Sequence, residues 1–269
     1  MDIGQIVLLA LVQALTEFLP VSSSGHLGLV GFFFGFAYQG LDFDLALHFG
    51  TLAAVVIYYR RELIDMLRAV AFPQASGHGL EQRRLAWGIA LATVPALIAG
   101  LAMSRSDAFV ESLRAPSLIA TNLVVFGVLL GLADRFGAKT GAATGLSPVQ
   151  ALAIGLAQVL ALVPGVSRSG ITLTAGLVLG LQRAEAARYT FLLSVPITLA
   201  ATAHGALHLI KQSATLQLTE FALGASIAAV AGLLCIHWLL KLLRTRSLMP
   251  FVWYRIGLGA TVFALLLFD

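Results

Sequence analysis

Apolar residues run through this chain in blocks, each close to the ~20 residues that a bilayer core demands of a helix. Phe43 to Tyr59, Leu85 to Met103, Pro116 to Ala133, Tyr189 to Ile210, Leu218 to Leu240 and Pro250 to Phe268 each predict a spanning helix, six in all. Nearly all of the charge falls in the short segments between them. Two further apolar stretches are interrupted midway by a polar, glycine-bearing turn: Pro20-Val-Ser-Ser-Ser-Gly-His26 and Pro164-Gly-Val-Ser-Arg-Ser-Gly170. Irregular backbone at membrane depth survives only where protein or a wet cavity satisfies its amides and carbonyls. The breaks therefore predict two re-entrant helix pairs around an internal polar site.

Composition agrees with an all-α integral membrane protein. Of 269 residues, 59% are hydrophobic and 11% charged, against the roughly half apolar and quarter charged of a soluble domain. The first apolar stretch, Ile3 to Leu19, carries Glu17 and lacks a basic leader and a small-residue cleavage site, so it reads as part of the mature protein. A single cysteine, Cys235, rules out an intramolecular disulfide and a cysteine metal cluster.

The two breaks are copies. A shift of 145 matches Gln5 with Gln150, Leu11 with Leu156, Gln13 with Gln158, Leu15 with Leu160, Val21 with Val166, Ser22 with Ser167, Ser24 with Ser169, Gly25 with Gly170, Gly31 with Gly176 and Gly35 with Gly180. Each copy is followed by three predicted spans. An odd number of crossings forces the second copy in from the opposite face, which predicts an inverted repeat, about 1–134 and about 146–269, within one membrane domain. Twelve Lys and Arg residues gather on one face and three on the other. The positive-inside rule then places the first face in the cytoplasm, both termini outside, and the first turn open to the outside. The net charge of +4 reports this topology and implies no nucleic-acid partner.

Ionisable groups at membrane depth are costly, and each is a candidate for function. Gln13 and Glu17 stand four apart on one helix face, where the carboxylate could hold a divalent cation or position a base. Ser22, Ser23, Ser24, Gly25 and His26 offer hydroxyls, an imidazole and the amides of a helix start, a combination suited to an anion. Ser167, Arg168, Ser169 and Gly170 supply the complement, since a guanidinium fork fits phosphate oxygens. Asp44 and His48, spaced i, i+4, fit an interfacial ion pair as well as catalysis.

At these motifs the sequence resembles the bacterial undecaprenyl-diphosphatases, the bacitracin-resistance type of lipid phosphatase. Thr-Glu-Phe-Leu-Pro-Val-Ser-Ser-Ser-Gly-His26 and Pro-Gly-Val-Ser-Arg-Ser-Gly170 carry the resemblance, in the family's order. It implies hydrolysis of undecaprenyl pyrophosphate to undecaprenyl phosphate, with Mg2+ or Ca2+, in the cytoplasmic membrane and with the site facing the periplasm. The family's roles fall on Glu17, Ser23, His26 and Arg168, with Glu17 a metal ligand and Ser22, Ser24, Ser167 and Ser169 around them. Many relatives carry glutamate where this chain has Gln13, which leaves the motif one acid.

Cleaving a phosphoanhydride requires neutralised oxygens, an aligned nucleophile and a destination for a proton. The reading that follows gives the first task to Arg168, loop amides and a cation held partly by Glu17. It gives the second to Ser23 with His26 as base; direct attack by water or His26 stays open. A transporter of the polyprenyl phosphate is the competing reading, because inverted repeats with broken helices meeting at the midplane are transporter architecture. The expected partners are a polyprenyl pyrophosphate and the bilayer. A homo-oligomer is compatible with the sequence, which is silent on assembly.

Overall fold

The computed structural model describes residues 1–34, 41–72, 78–211 and 217–268, and among these every regular element is helical apart from an isolated bridge between Gly141 and Leu181. Gly35, one of the matched glycines, lies outside the described residues. The all-α membrane fold expected from the sequence is present. Five helices are long and apolar enough to cross a bilayer: Gly79–Met103 within α5 (His78–Met103), α7 (Pro116–Phe136), α10 (Arg183–Lys211), α11 (Leu218–Leu243) and α12 (Met249–Phe268). The remaining expected span, Phe43–Tyr59, belongs to a shorter helix, α3 (Leu41–Tyr58), which packs against α10 and α11. After Tyr59 the chain turns into α4 (Arg60–Ala71), whose Met66 and Ala69 are buried while Leu67 and Val70 face outward beside Arg60, Arg61 and Arg68. That pattern suits a helix lying in a membrane interface. A single turn and a half, α6 (Asp107–Ser112), precedes α7.

Both interrupted stretches form helix–turn–helix pairs. α1 (Ile3–Phe18) is capped by Asp2, whose carboxylate accepts from Gln5 N at 2.8 Å, and it ends where Leu19 turns extended. Its partner α2 (Ser23–Phe34) begins four residues on. In the second pair, Ser147 and Gln150 form a capping box at the start of α8 (Pro148–Val159). A 3-10 turn over Leu160–Leu162 then leads through Val163 to α9 (Arg168–Val178). With 16 and 12 residues, α1 and α8 are too short to cross a bilayer core. α1 packs on α11, whereas α8 packs on α5, so the leading helix of each pair rests on a long helix of the other half.

Burial is ordered around these pairs. Phe18, Tyr59, Tyr189 and Phe191 are buried in the main core, with Phe18 and Phe191 edge to face at a centroid separation of 5.6 Å. Large apolar side chains such as Trp87, Ile98, Leu234 and Leu267 stand exposed on the outside, as lipid-facing surface requires. Near the arginine-rich ends of the helices, Arg183 pairs with Asp134, and Arg188 with Glu62 and Glu185. Asp134 also accepts from Leu248 N at 3.0 Å, which pins the loop before α12.

Candidate active site

The two turns are built alike from their backbones upward. Ser22 and Ser167 both adopt a φ of 76°, in the left-handed region that costs a non-glycine residue on the order of 1 kcal/mol or more. Each then caps the following helix: Ser22 Oγ accepts from Gly25 N at 3.3 Å, and Ser167 Oγ accepts from Gly170 N at 3.1 Å. The amides of Ser23 and Ser24, and of Arg168 and Ser169, sit in first helical turns and have no intrahelical acceptors. Each turn thus offers a pair of donors to an anion. Although both turns bear glycines, serines hold the tight backbone. Glycine serves for close approach, since a Cβ on Gly170 would lie 2.9 Å from Arg255 Nη1 and one on Gly25 3.3 Å from Ile119 Cγ2.

Arg255 ties the two turns together. Its side chain is 0% exposed. Nη1 donates to Pro20 O at 3.0 Å; Nη2 donates to Gly165 O at 2.9 Å, Val166 O at 3.0 Å and Asn122 O at 3.2 Å; and Nε donates to Leu123 O at 3.1 Å. Pro20 and Gly165 are equivalent positions under the 145-residue shift. A buried guanidinium is tolerable here because carbonyls meet each of its nitrogens: those of Pro20, Gly165 and Val166, left free by irregular backbone, and those of Asn122 and Leu123 on α7. Two side chains reinforce the join: Ser169 Oγ donates to Leu19 O at 2.9 Å and Asn122 Nδ2 to Pro164 O at 2.8 Å, and Leu19 and Pro164 are again equivalent.

Where the turns meet, Glu17 collects three partners. Arg168 Nη2 reaches Glu17 Oε1 from the second turn in a short ion pair. Ser23 Oγ donates to Glu17 Oε2 at 2.6 Å, and Gln13 Nε2 donates to the same oxygen at 3.2 Å. Arg168 Nη1 also reaches Thr198 Oγ1 and, at 3.4 Å, Ser194 O. These lie on either side of Pro196, a helix-interior proline that removes one backbone donor from α10. Gln13 is fully buried, and its Oε1 has no hydrogen-bond partner. Swapping the amide would set that oxygen against the carboxylate, so the orphaned acceptor belongs to this arrangement.

His26 stands apart from this group. Its Nδ1 donates to Ser22 O at 2.7 Å, which leaves Nε2 to accept from the Tyr254 hydroxyl at 2.7 Å, with the rings parallel at 6°. The expected activation of Ser23 by His26 is therefore corrected: both imidazole nitrogens are engaged elsewhere, and the Ser23 proton points at Glu17. Ser24 is exposed and lies 3.4 Å from Ser22 Oγ, while buried Ser167 and Ser169 are 3.2 Å apart. His48 donates from Nδ1 to Asp44 O at 2.8 Å and lies within electrostatic reach of Glu17. Arg255, Tyr254, Asn122 and Thr198 were not singled out from sequence. Arg255 carried the one available signal, an arginine inside an apolar span.

The oxygen donors of Glu17, Ser23 and Gln13 fit a hard divalent cation, and the orphaned Gln13 Oε1 is the acceptor that such an ion would use. Among the described residues no three His, Cys, Asp or Glu side chains gather as a metal cage. A cation here would have one carboxylate and would depend on phosphate oxygens for the rest, as Mg2+ sites commonly do.

The family model described as "Bacitracin resistance protein BacA" matches residues 6–261. A protein of Saccharophagus degradans named undecaprenyl-diphosphatase is 45% identical over 269 residues, covering all of both chains. One of Stutzerimonas stutzeri, undecaprenyl-diphosphatase 2, is 46% identical over 98% of both chains, and one of Nitrosococcus oceani is 45% identical over 98% of this chain. With a family model spanning nearly its whole length and relatives matched end to end, this chain belongs to the bacitracin-resistance BacA family.

Proposed function

We propose that this protein removes the terminal phosphate of undecaprenyl diphosphate and returns undecaprenyl phosphate to the bilayer. The observation that carries the reading is the meeting of Glu17, the Ser23 hydroxyl and the Arg168 guanidinium at the junction of two anion-ready helix starts. The relatives' printed names are those of diphosphatases and do not favour the transporter alternative.

In the mechanism that fits this geometry, the terminal phosphate takes the Arg168 guanidinium and the amides of Ser23 and Ser24 as donors. Ser23 Oγ bonds to phosphorus as the bridging P–O bond breaks, its proton passes to Glu17, and undecaprenyl phosphate leaves with the electron pair. Glu17 hands that proton to the departing oxygen. Water then attacks the phosphoserine: its hydroxyl goes to phosphorus, its proton reaches Ser23 Oγ through Glu17, and orthophosphate departs. The Tyr254 hydroxyl, whose proton is held by His26 Nε2 at the rim of the first turn, accepts from this water and orients it. A Mg2+ or Ca2+ ion, when bound, would be held by Glu17, Gln13 Oε1 and substrate oxygens and would neutralise phosphate charge. The exposed apolar helices leave the prenyl chain in lipid.

The Lys and Arg asymmetry supports an inner-membrane orientation with both termini and the first turn outside. The matched turns support the inverted repeat. Cysteines placed at Gln74 and Ser213, positions outside the described residues, in a Cys235→Ser background should label from the cytoplasm and from outside respectively. The opposite pattern would reverse the orientation. For the reaction, purified protein in detergent should release phosphate from undecaprenyl diphosphate, lose that activity in excess chelator and regain it with Mg2+ or Ca2+. Transport has no meaning in a micelle, so absence of release under all these conditions would sink the hydrolase reading.

A further inference from the structure

A cleft of about 480 Å³ opens between the first turns of α5 and α8, lined by Arg83, Arg84, Trp87, Leu91 and Ser147 among others. None of these belongs to the two turns described above. Arg83 and Arg84 lie within two turns of Gly79, where the long apolar helix begins, which is headgroup depth. Neither guanidinium has a hydrogen-bond or ion-pair partner among the described residues. On the same arginine-rich face Arg183 meets Asp134 through Nε, and Arg188 meets Glu62 and Glu185; Arg83 and Arg84 instead share the lining of a cleft. Two free cations in a cleft therefore await an anion.

The surroundings say which kind. Trp87 is exposed at the cleft and begins a stripe with Val94, Ile98 and Leu101, spaced seven, four and three, along one face of α5. Val149, Leu152 and Leu156 stand exposed on α8, which packs beside it. The cationic cleft thus sits at one end of two packed helices that both expose apolar side chains. A free phosphate would use the arginines and leave those side chains bare; a phospholipid uses both.

We propose that this cleft binds the headgroup of an anionic glycerophospholipid, its phosphate held by Arg83 and Arg84 and its acyl chains laid along the α5 and α8 stripe. The site is separate from the Glu17–Arg168 cavity, so its occupancy is readable without turnover. The test is tryptophan quenching in detergent, with Trp238→Phe and Trp253→Phe leaving Trp87 as reporter. Phosphatidylglycerol brominated in its acyl chains should quench Trp87 at lower lipid content than brominated phosphatidylcholine. Arg83→Gln with Arg84→Gln should weaken the phosphatidylglycerol response roughly tenfold or more and abolish the preference, while phosphate release from undecaprenyl diphosphate persists and certifies the fold. Arg83→Lys with Arg84→Lys should keep the preference. Equal quenching by the two lipids, a preference that survives the glutamine pair, or its loss on adding millimolar inorganic phosphate would each overturn the proposal.

Discussion

The first and second turns share a cradle and differ in what they put in it. Ser22 and Ser167 hold the same φ of 76°, cap the same amide three residues on, and stand beside a second serine hydroxyl. At the positions between and around them the copies part: Ser23 answers to Arg168, His26 to Ile171 and Glu17 to Leu162. The shared positions build backbone, and the unshared ones carry charge. In the proposed mechanism one turn therefore supplies the nucleophile and base and the other the electrophilic clamp, so that neither half alone would complete a site. Pseudosymmetry delivers the two sets to one point, and divergence makes them complementary.

The comparison breaks hardest at its charged contact. Arg168→Ala should lower kcat by about 10³-fold and Arg168→Lys by about 10²-fold, since a lysine keeps the charge without the fork. Steady-state phosphate release in detergent measures both. A lysine variant with near-native kcat and only a raised KM would reduce Arg168 to head-group attraction. Exchanging the equivalent residues, Ser23→Arg with Arg168→Ser, should stay inactive, because Leu162 offers the moved serine no carboxylate.

What the turns share is tested at Arg255. Arg255→Met removes the donor set that joins Pro20 O to Gly165 O and Val166 O, leaving buried carbonyls unpartnered at about 1–3 kcal/mol for each that finds no water. Thermal unfolding in detergent should fall clearly, and phosphate release should fall with it by at least about tenfold. Unchanged stability would mean that Ser169 and Asn122 suffice to hold the join.

Much of this was legible in the sequence. The broken stretches, their duplication and the Glu17 and Arg168 motifs rest on period, glycine, proline and charge at membrane depth, which local composition records. Arg255 was missed, because its partners are backbone carbonyls and carry no residue type to read. Tyr254 meets His26 across 228 positions, a contact no local pattern announces. The left-handed serines were missed for the opposite reason: the pattern pointed to the neighbouring glycines, and tertiary packing assigned those another task. Phe43–Tyr59 has the apolarity of a span and lies in α3, which packs among α1, α10 and α11 while Phe49, Val56 and Ile57 stay exposed.

A smaller effect separates His26 from its symmetric mate. His26→Asn removes the acceptor that orients Tyr254 and should cost up to about tenfold in kcat, the worth of one lost hydrogen bond. Ile171→Val, the corresponding site in the second turn, should be nearly silent. Tyr254→Phe removes the hydroxyl itself and should cost at least as much as His26→Asn, with the loss concentrated in the step that consumes water, so that phosphoserine accumulates under rapid quench. Equal loss in both steps would assign His26 and Tyr254 to binding.

The smallest expected change lies with the paired glutamines, and it bears on the cation. Gln13 and Gln158 are equivalent, both buried, and each leaves its Oε1 without a partner. Only Gln13 has a carboxylate beside it; Gln158 instead donates to Ala92 O at 3.4 Å. If the orphaned oxygen of Gln13 faces a cation brought with the substrate, Gln13→Glu replaces a neutral ligand by a charged one. Activity at saturating Mg2+ or Ca2+ should then stay within about threefold, while the concentration needed for half-activity drops, because a second carboxylate tightens a site held by one. Gln158→Glu places the same charge where no cation is expected and should lower stability without moving the metal requirement. Two outcomes bear against this assignment. An inactive Gln13→Glu enzyme would mean that the cavity tolerates a single negative charge, and an identical metal shift in both variants would mean that the cation does not distinguish the two halves.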